Sequence, residues 1–246
     1  MPRPNHIELG DGTVIPILYE DRSVIAIDKP AGWMLVPHSW QKTNRNLQAA
    51  IVSSIGAGDF WARSRSLKFL RYVHRLDAET SGVLLFARSY GAVETFSRLF
   101  ESRQMGKAYL VVVQGSPREA EWICRDAIGT DPRQIGRMKI DPRGGKPAET
   151  RFRVLERGPK TTLLEAQPVT GRTHQIRVHL LACGHPVVGD DLYGPDARAN
   201  ERAKAPLGLR SVFLGYKDPF TRKPVRIEAA ADDFVKEFGF SPPPKS

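Results

Sequence analysis

The run from Ala108 to Val113 constrains the fold of this 246-residue chain more than any other feature. It reads Ala-Tyr-Leu-Val-Val-Val, and consecutive aromatic and β-branched residues favour an extended strand because they fit a pleated, half-buried surface. Similar short apolar runs, bounded by turn residues, recur along the chain. They lie at Pro16–Glu20, Ser23–Ile27, Val83–Ala87, Glu149–Leu155, Thr161–Ala166, Ser211–Tyr216 and Val225–Ala229.

Few segments show helical spacing. Apolar residues recur at helical intervals from Arg45 to Ile55 and from Tyr90 to Ser102, and a short helix is predicted near Asp232–Phe238. Thr173 is a plausible N-cap for a further helix through Cys183, which Gly184 would end. The pattern predicts an α+β fold with a mixed, mainly antiparallel central sheet flanked by helices and loops. We expect an N-terminal extension over residues 1–14 and a single domain over residues 15–246.

The composition is basic. There are 37 Lys and Arg residues against 27 Asp and Glu, which gives a formal charge of +10 and favours a polyanionic partner. Cys124 and Cys183 are 59 residues apart and form neither a disulfide framework nor a metal pair. The N-terminus lacks the apolar stretch of a signal peptide, and no run is long enough for a membrane span. We therefore expect a cytoplasmic protein without membrane contact.

Two polar segments are predicted to lie on the surface. Residues 56–68 are irregular and rich in Arg and Ser, which predicts a surface loop. Residues 129–145 are rich in Gly, Pro, Arg and Asp and predict an exposed basic excursion, which is either a solvated loop or an arm that contacts the polyanionic partner.

The segment His74-Arg-Leu-Asp-Ala-Glu-Thr-Ser-Gly82 directly precedes the apolar run that begins at Val83. It places Arg75 and Asp77 two positions apart where a loop enters a buried strand. An ordinary polar turn would explain an isolated Arg-x-Asp equally well.

A second polar segment reads Thr170-Gly-Arg-Thr-His-Gln-Ile-Arg-Val-His179. If a helix starts at Thr173, its unpaired N–H groups lie beside Arg172 and His174, which suits a phosphate. Arg177 lies one turn further along, away from the face of Ile176 that packs on the core. By itself this segment could also be a basic helix start on a surface.

Together the two segments resemble the RluA-like family of pseudouridine synthases. The first matches the catalytic segment of the family, His-Arg-Leu-Asp followed two residues later by Thr-Ser-Gly, and the second matches its Thr-Gly-Arg-Thr-His-Gln-Ile-Arg motif at every position. Shorter matches at residues 18–21, 28–32, 107–109, 145–150 and 184–194 extend the resemblance over about residues 15 to 230. The resemblance implies the pseudouridine synthase fold and an RNA uridine isomerase.

The resemblance also implies roles for individual residues. Asp77 would be the nucleophile, Arg177 would keep its carboxylate ionised, and Tyr109 would stack on the uracil and assist the final deprotonation. Isomerisation involves no redox change, so no cofactor and no metal are expected. The substrate-binding set comprises Arg75, which helps to fill the space that the flipped base leaves, together with Arg172, His174, Gln175, Ile176 and Leu209.

The partner implied is RNA, a stem-loop of ribosomal or transfer RNA. Where the family usually has Leu-His-Ala, this chain has Leu209-Arg210-Ser211, which would alter substrate preference. Many relatives carry an N-terminal RNA-binding module, which we do not expect in the short extension over residues 1–14, so we expect recognition by the catalytic domain itself. No obligate protein partner is evident, and we expect a monomer.

Three other functions compete with this interpretation. A zinc site at His174, His179 and His185 is disfavoured, because spacings of five and six residues do not place side chains on one helical face. A non-catalytic RNA-binding protein on the same fold would have no need of Asp77, Tyr109 and Arg177 together. A ribonuclease or glycosidase would need a second carboxylate, which no motif suggests.

Overall fold

The computed structural model describes residues 2–35, 45–194 and 205–241. These residues contain thirteen strands and five helices. Every strand pair with a described register is antiparallel, and the helices are few, which confirms the predicted α+β class. The chain divides into two compact units, residues 1–105 with 213–229 and residues 106–212 with 230–246, each of which is considered by itself below.

The first unit contains a sheet in which β1, β2, β3 and β5 are neighbours in that order, while β4 also pairs with β5. Residues 213–217 of β12 pair with β13. The elements of this unit are β1 (His6–Glu8), β2 (Val14–Glu20), β3 (Val24–Lys29), α1 (Leu47–Ala57), α2 (Phe60–Arg63), β4 (Arg71–Tyr72), β5 (Ser81–Ala87), α3 (Tyr90–Glu101), β12 (Leu209–Lys217, in part) and β13 (Pro224–Glu228).

The core of the first unit forms around β5 and α3. All residues of β5 from Gly82 to Ala87 are buried, and α3 turns its apolar stripe, centred on Phe96, toward the same cluster. Ser89 caps α3 by accepting a hydrogen bond from the Ala92 amide, as a helix that begins after an extended residue requires. Burial of β5 therefore fixes the segment that enters it, residues 74–80.

The second unit contains a sheet with the order β6, β11, β10 and β7, and a separate two-stranded hairpin of β8 and β9. Apolar clusters form around Leu110, Val112 and Val235 and around Val178 and Tyr193. The elements are β6 (Gly106–Gln114), β7 (Glu121–Cys124), β8 (Ile128–Thr130), β9 (Met138–Ile140), β10 (Thr150–Arg157), β11 (Thr161–Pro168), α4 (Gln175–Ala182) and α5 (Asp232–Glu237).

The prediction of a surface loop over residues 56–68 is wrong. The segment completes α1 and forms α2, with Trp61 and Ala62 buried. Arg65 is 5% exposed because its guanidinium bonds the Glu20 carboxylate, with Nε to Oε2 at 2.5 Å, and the Pro4 carbonyl oxygen at 2.7 Å. An arginine with such partners can be buried, and composition alone does not reveal them.

The predicted N-cap of α4 is one residue too early. The N-cap is His174 rather than Thr173, the helix begins at Gln175, and the φ of His174, 53°, lies in the left-handed region. Its end agrees with the prediction, since Gly184 takes a left-handed φ of 81° just after Cys183.

Candidate active site

The first motif forms a tight turn ahead of β5. The Thr80 amide donates to the Asp77 carbonyl oxygen at 3.2 Å, and Asp77 itself is half-buried. His74 accepts a hydrogen bond from the Leu85 amide at its Nε2 (3.0 Å), and its ring stacks on Phe100 with centroids 4.4 Å apart. These contacts hold His74 against β5 and α3 and so orient the turn that it precedes.

Lys29 holds the same turn from the end of β3. Its side chain is fully buried, and Nζ donates to the carbonyl oxygens of Pro30 (3.0 Å), Ala78 (2.7 Å) and Thr80 (2.9 Å). Burial lowers the pKa of Lys29 to about 8, against the opposing effect of the Glu79 and Asp77 carboxylates. The ammonium group thus ties the backbone on both sides of residue 79 to β3.

The second motif is organised around Gln175, which is 4% exposed. Its Oε1 accepts from the Thr170 hydroxyl (2.6 Å) and the Arg172 amide (3.0 Å), while its Nε2 donates to the Glu149 carbonyl oxygen and the Thr150 hydroxyl oxygen, both at 2.9 Å. A side-chain amide offers two donors and one acceptor oxygen, so these four bonds occupy it well. Gln175 shapes the loop, and the predicted contact with substrate stays a prediction.

Arg177 is 4% exposed and forms a fork with Asp190, which the sequence analysis did not select. Nε donates to Oδ2 and Nη2 to Oδ1, both at 2.7 Å, and Asp191 Oδ1 lies 3.6 Å from Nη2. Asp190 Oδ1 also accepts the amides of Leu192 (3.0 Å) and Tyr193 (2.9 Å). The available signal was the Gly189-Asp190…Tyr193-Gly194 segment, which resembles the closing loop of the family.

Tyr193 packs against this fork. Its ring lies under the guanidinium of Arg177, with Cζ 5.1 Å from the ring centroid, and under that of Arg137 at 5.4 Å. Its hydroxyl oxygen accepts the Met138 amide at 2.8 Å and lies 2.8 Å from His174 Nδ1. Arg177 and His174 of the second motif are therefore brought together around one buried tyrosine.

Tyr109 is a buried residue of β6, opposite Ala166 on β11. Lys107 lies two residues earlier and so points to the same face of the strand. Its Nζ donates to the carbonyl oxygen of Thr170 at 3.1 Å, and burial lowers its pKa to about 8. Within the second unit, the face of β6 that carries Tyr109 is thus connected to the start of the second motif.

The remaining predicted residues differ in exposure. Arg75 is exposed, whereas Ile176 and Leu209 are buried at 6% and 4%. Arg172 is half-buried and donates from Nε to the Pro147 carbonyl oxygen at 3.1 Å. Arg210, the departure from the family pattern, donates from Nε to the Ala230 carbonyl oxygen at 2.9 Å.

The three histidines considered above as zinc ligands each have different contact partners. His174 meets Tyr193, His179 bonds the Thr150 hydroxyl (2.9 Å) and the Asp126 carbonyl oxygen (3.0 Å), and His185 Nδ1 lies 3.1 Å from the Gln114 carbonyl oxygen. Across residues 2–35, 45–194 and 205–241 there is no group of three His, Cys, Asp or Glu side chains arranged to hold a metal.

The predicted basic excursion is the β8–β9 hairpin and the turn that follows it. Residues 131–137 connect the strands, and the exposed cations of this segment are Arg133, Lys139, Arg143 and Lys146. Their exposure confirms that the excursion lies on the surface. Its predicted contact with RNA is taken up below.

Comparisons with known proteins identify the class. The family model described as RNA pseudouridylate synthase matches residues 23–182, well over half of the chain, and includes both motifs. The structure is similar to that of human RNA pseudouridylate synthase domain containing 1, with a TM-score of 0.65 and 28% identity over 94% of this chain and 97% of that one. The chain is an RNA pseudouridine synthase and therefore an isomerase.

The curated relatives show which family of pseudouridine synthases the chain belongs to. The chain is 36% identical over 226 residues to ribosomal large subunit pseudouridine synthase C of Escherichia coli K12, which covers 89% of this chain and 67% of that protein. It is 33% identical over 217 residues to the Vibrio vulnificus protein of the same name, covering 87% and 64%. The chain belongs to the RluA-like family of pseudouridine synthases. No helix among the described residues is long and apolar enough to cross a membrane.

Proposed function

We propose that this chain converts a specific uridine of structured RNA to pseudouridine with Asp77 as the nucleophile. The observation that carries the proposal is the intact catalytic segment of residues 74–82, whose turn is held on a fully buried lysine ahead of a buried strand. A binding protein without activity would not need a carboxylate on a turn whose backbone is held in this way. Ribosomal RNA is the favoured substrate because two similar curated proteins are ribosomal large subunit enzymes, and transfer RNA is the second.

The reaction requires the bond between uracil N1 and the sugar carbon C1′ to break. The uracil then turns, C1′ joins ring carbon C5, the proton on C5 leaves and N1 gains a proton, so that substrate and product have the same composition. Asp77 either attacks C1′ or promotes elimination to a glycal. Neither route needs an oxidant, a reductant or a cofactor.

The resemblance implies that Arg177 and Tyr109 act on the same uridine as Asp77. Arg177 keeps the Asp77 carboxylate ionised while the enclosed base excludes water. Its fork with Asp190 uses the Nε–Nη2 edge of the guanidinium, and the Nη1 edge lies outside this fork. Tyr109 stacks on the uracil and assists the removal of the C5 proton.

Base flipping costs a few kcal/mol, and substrate contacts must offset it. Arg75 helps to fill the vacated space, with Leu209 and Ile176 as apolar walls. Arg172 and His174 contact the RNA backbone near the second motif, and Gln175 contributes by fixing the loop that presents them. The exposed cations of the β8–β9 hairpin contact phosphates, which makes binding salt-dependent.

We further propose that the two compact units make up one catalytic domain that works as a monomer in the cytoplasm without an obligate protein partner. The direct test incubates the protein with uridine-labelled ribosomal and transfer RNA, digests the RNA and scores pseudouridine. Pseudouridine formation by wild type and its loss in Asp77→Asn support the proposal. Binding without product from any cellular RNA would favour the non-catalytic alternative, and mapping pseudouridines in cells with and without the protein identifies the target.

A further inference from the structure

Tyr193 is a buried tyrosine to which neither the motifs nor the proposed reaction assigns a role. It is 4% exposed and lies between the β8–β9 hairpin and the second motif. Its ring and its hydroxyl group contact different parts of the second unit. The two parts of one side chain can therefore be removed separately.

The hydroxyl group connects the hairpin to His174. The oxygen accepts the Met138 amide (2.8 Å) and lies 2.8 Å from His174 Nδ1, so one hydroxyl group contacts both segments. His174 also has a left-handed φ of 53°, a conformation that side chains other than glycine adopt only where the surroundings fix it.

The ring, together with Asp190, determines the orientation of the Arg177 guanidinium. Asp190 holds one edge of the guanidinium plane through two bonds of 2.7 Å, while the ring of Tyr193 covers a face with Cζ at 5.1 Å from the centroid. The contact at its edge prevents the planar guanidinium from rotating within its plane, and the contact at its face prevents it from tilting out of that plane. The Tyr193 amide also donates to Asp190 Oδ1, so both contacts come from one turn.

We propose that Tyr193 is a positioning residue whose ring orients Arg177 for the reaction and whose hydroxyl group fixes the RNA-contacting hairpin to the second motif. The roles of these two contacts in catalysis and in RNA binding rest on the proposed function. We therefore expect Tyr193→Phe and Tyr193→Leu to have different effects. The first removes the hydroxyl and keeps the ring, whereas the second removes both.

The first test is independent of activity and uses the full chain. NMR hydrogen exchange is measured at the Met138 amide and at the Arg177 Nε–H group, the latter assigned with Arg177→Lys. Tyr193→Phe should accelerate exchange at the Met138 amide about 10-fold and leave the Arg177 group unchanged within about 2-fold. Tyr193→Leu should accelerate both. Equal acceleration at both groups in Tyr193→Phe would overturn the inference.

The second test measures steady-state kinetics on the RNA substrate. Tyr193→Phe should raise KM about 3- to 10-fold with kcat nearly unchanged, and Tyr193→Leu should also lower kcat at least about 10-fold. If Tyr193→Leu does not fold, Tyr193→Met replaces it, and the same fall of kcat is expected because methionine also lacks the ring. A parallel fall of kcat in all variants that follows their melting temperatures would show a merely structural role and overturn the inference. Absence of pseudouridine with wild type would instead refute the proposed function. The exchange experiment would still test whether the Tyr193 hydroxyl holds the Met138 amide and whether its ring holds Arg177.

Discussion

The buried fork between Arg177 and Asp190 gives the most quantitative prediction. The Asp190 side chain is 0% exposed and that of Arg177 is 4% exposed, so water cannot replace either partner. Asp190→Asn keeps the shape and removes the charge. If the amide nitrogen takes the place of Oδ2, it meets the Arg177 Nε–H donor, and if it takes the place of Oδ1, it meets Nη2 and two backbone amides.

Either orientation leaves donors facing donors beside a buried cation. Removal of one partner from such a pair typically costs about 3–5 kcal/mol of unfolding free energy. A protein of this size loses about 2–4 °C of melting temperature per kcal/mol, so we expect a decrease of roughly 6–20 °C. The matched control is Asp191→Asn, because Asp191 lies 3.6 Å from Nη2 and its side chain is 41% exposed. The control should lose about 1 kcal/mol or less.

The assay is urea unfolding followed by tryptophan fluorescence and by circular dichroism, which must agree for a two-state free energy to apply. The measured quantity is the difference in unfolding free energy between each variant and wild type. A loss below about 1 kcal/mol in Asp190→Asn, or a loss equal to that of Asp191→Asn, would refute the account of the fork as a buried structural pair.

Three further predictions concern the fork, the buried lysine and the hairpin. The double variant Arg177→Leu with Asp190→Leu should regain most of the unfolding free energy that Arg177→Leu alone loses, because apolar residues replace a buried ion pair well. Its turnover should stay low, and recovered turnover would show that Arg177 acts only structurally. The folded protein releases the Lys29 proton near pH 8 and the unfolded chain near 10.5, so stability from this group is present above pH 10.5 and lost as the pH falls through 8. The unfolding free energy of wild type relative to Lys29→Met should therefore rise by about 3 kcal/mol between these pH values, and a constant difference would contradict the assignment. In Gly145→Ala the new Cβ would overlap backbone atoms at the base of the β8–β9 hairpin, so trypsin should cleave residues 128–145 faster than in wild type. The control is Gly10→Ala, where nothing lies within 4 Å of the new Cβ, and equal cleavage rates in the two variants would contradict this packing.

Periodicity in the sequence predicted the longer elements. The strands β5, β6 and β11 and the helix α3 have apolar residues whose spacing alone indicates their type, and the structure has them within a few residues. The strands β1, β4, β7, β8 and β9 were missed because they have only two to four residues. Such strands depend on the partner they pair with and carry no periodic signal of their own.

The candidate site was predictable as far as local motifs extend. The two motif segments gave Asp77 and Arg177 as candidates, but no spacing rule connects Arg177 with Asp190, 13 residues away, or Lys29 with the carbonyl oxygens of Ala78 and Thr80. These contacts arise when turns fold back on buried polar groups. A buried charge needs such partners, and only the folded chain shows which residues supply them.

Release of the C5 hydrogen tests the central claim most directly, because pseudouridine formation removes the hydrogen from that carbon. RNA labelled with tritium at uracil C5 is mixed with an excess of protein, and tritium released to water is counted against time. The account predicts release by wild type, in step with pseudouridine in the digested RNA, and no release by Asp77→Asn that is folded and still binds the RNA. Release by Asp77→Asn at the wild-type rate would contradict Asp77 as the nucleophile.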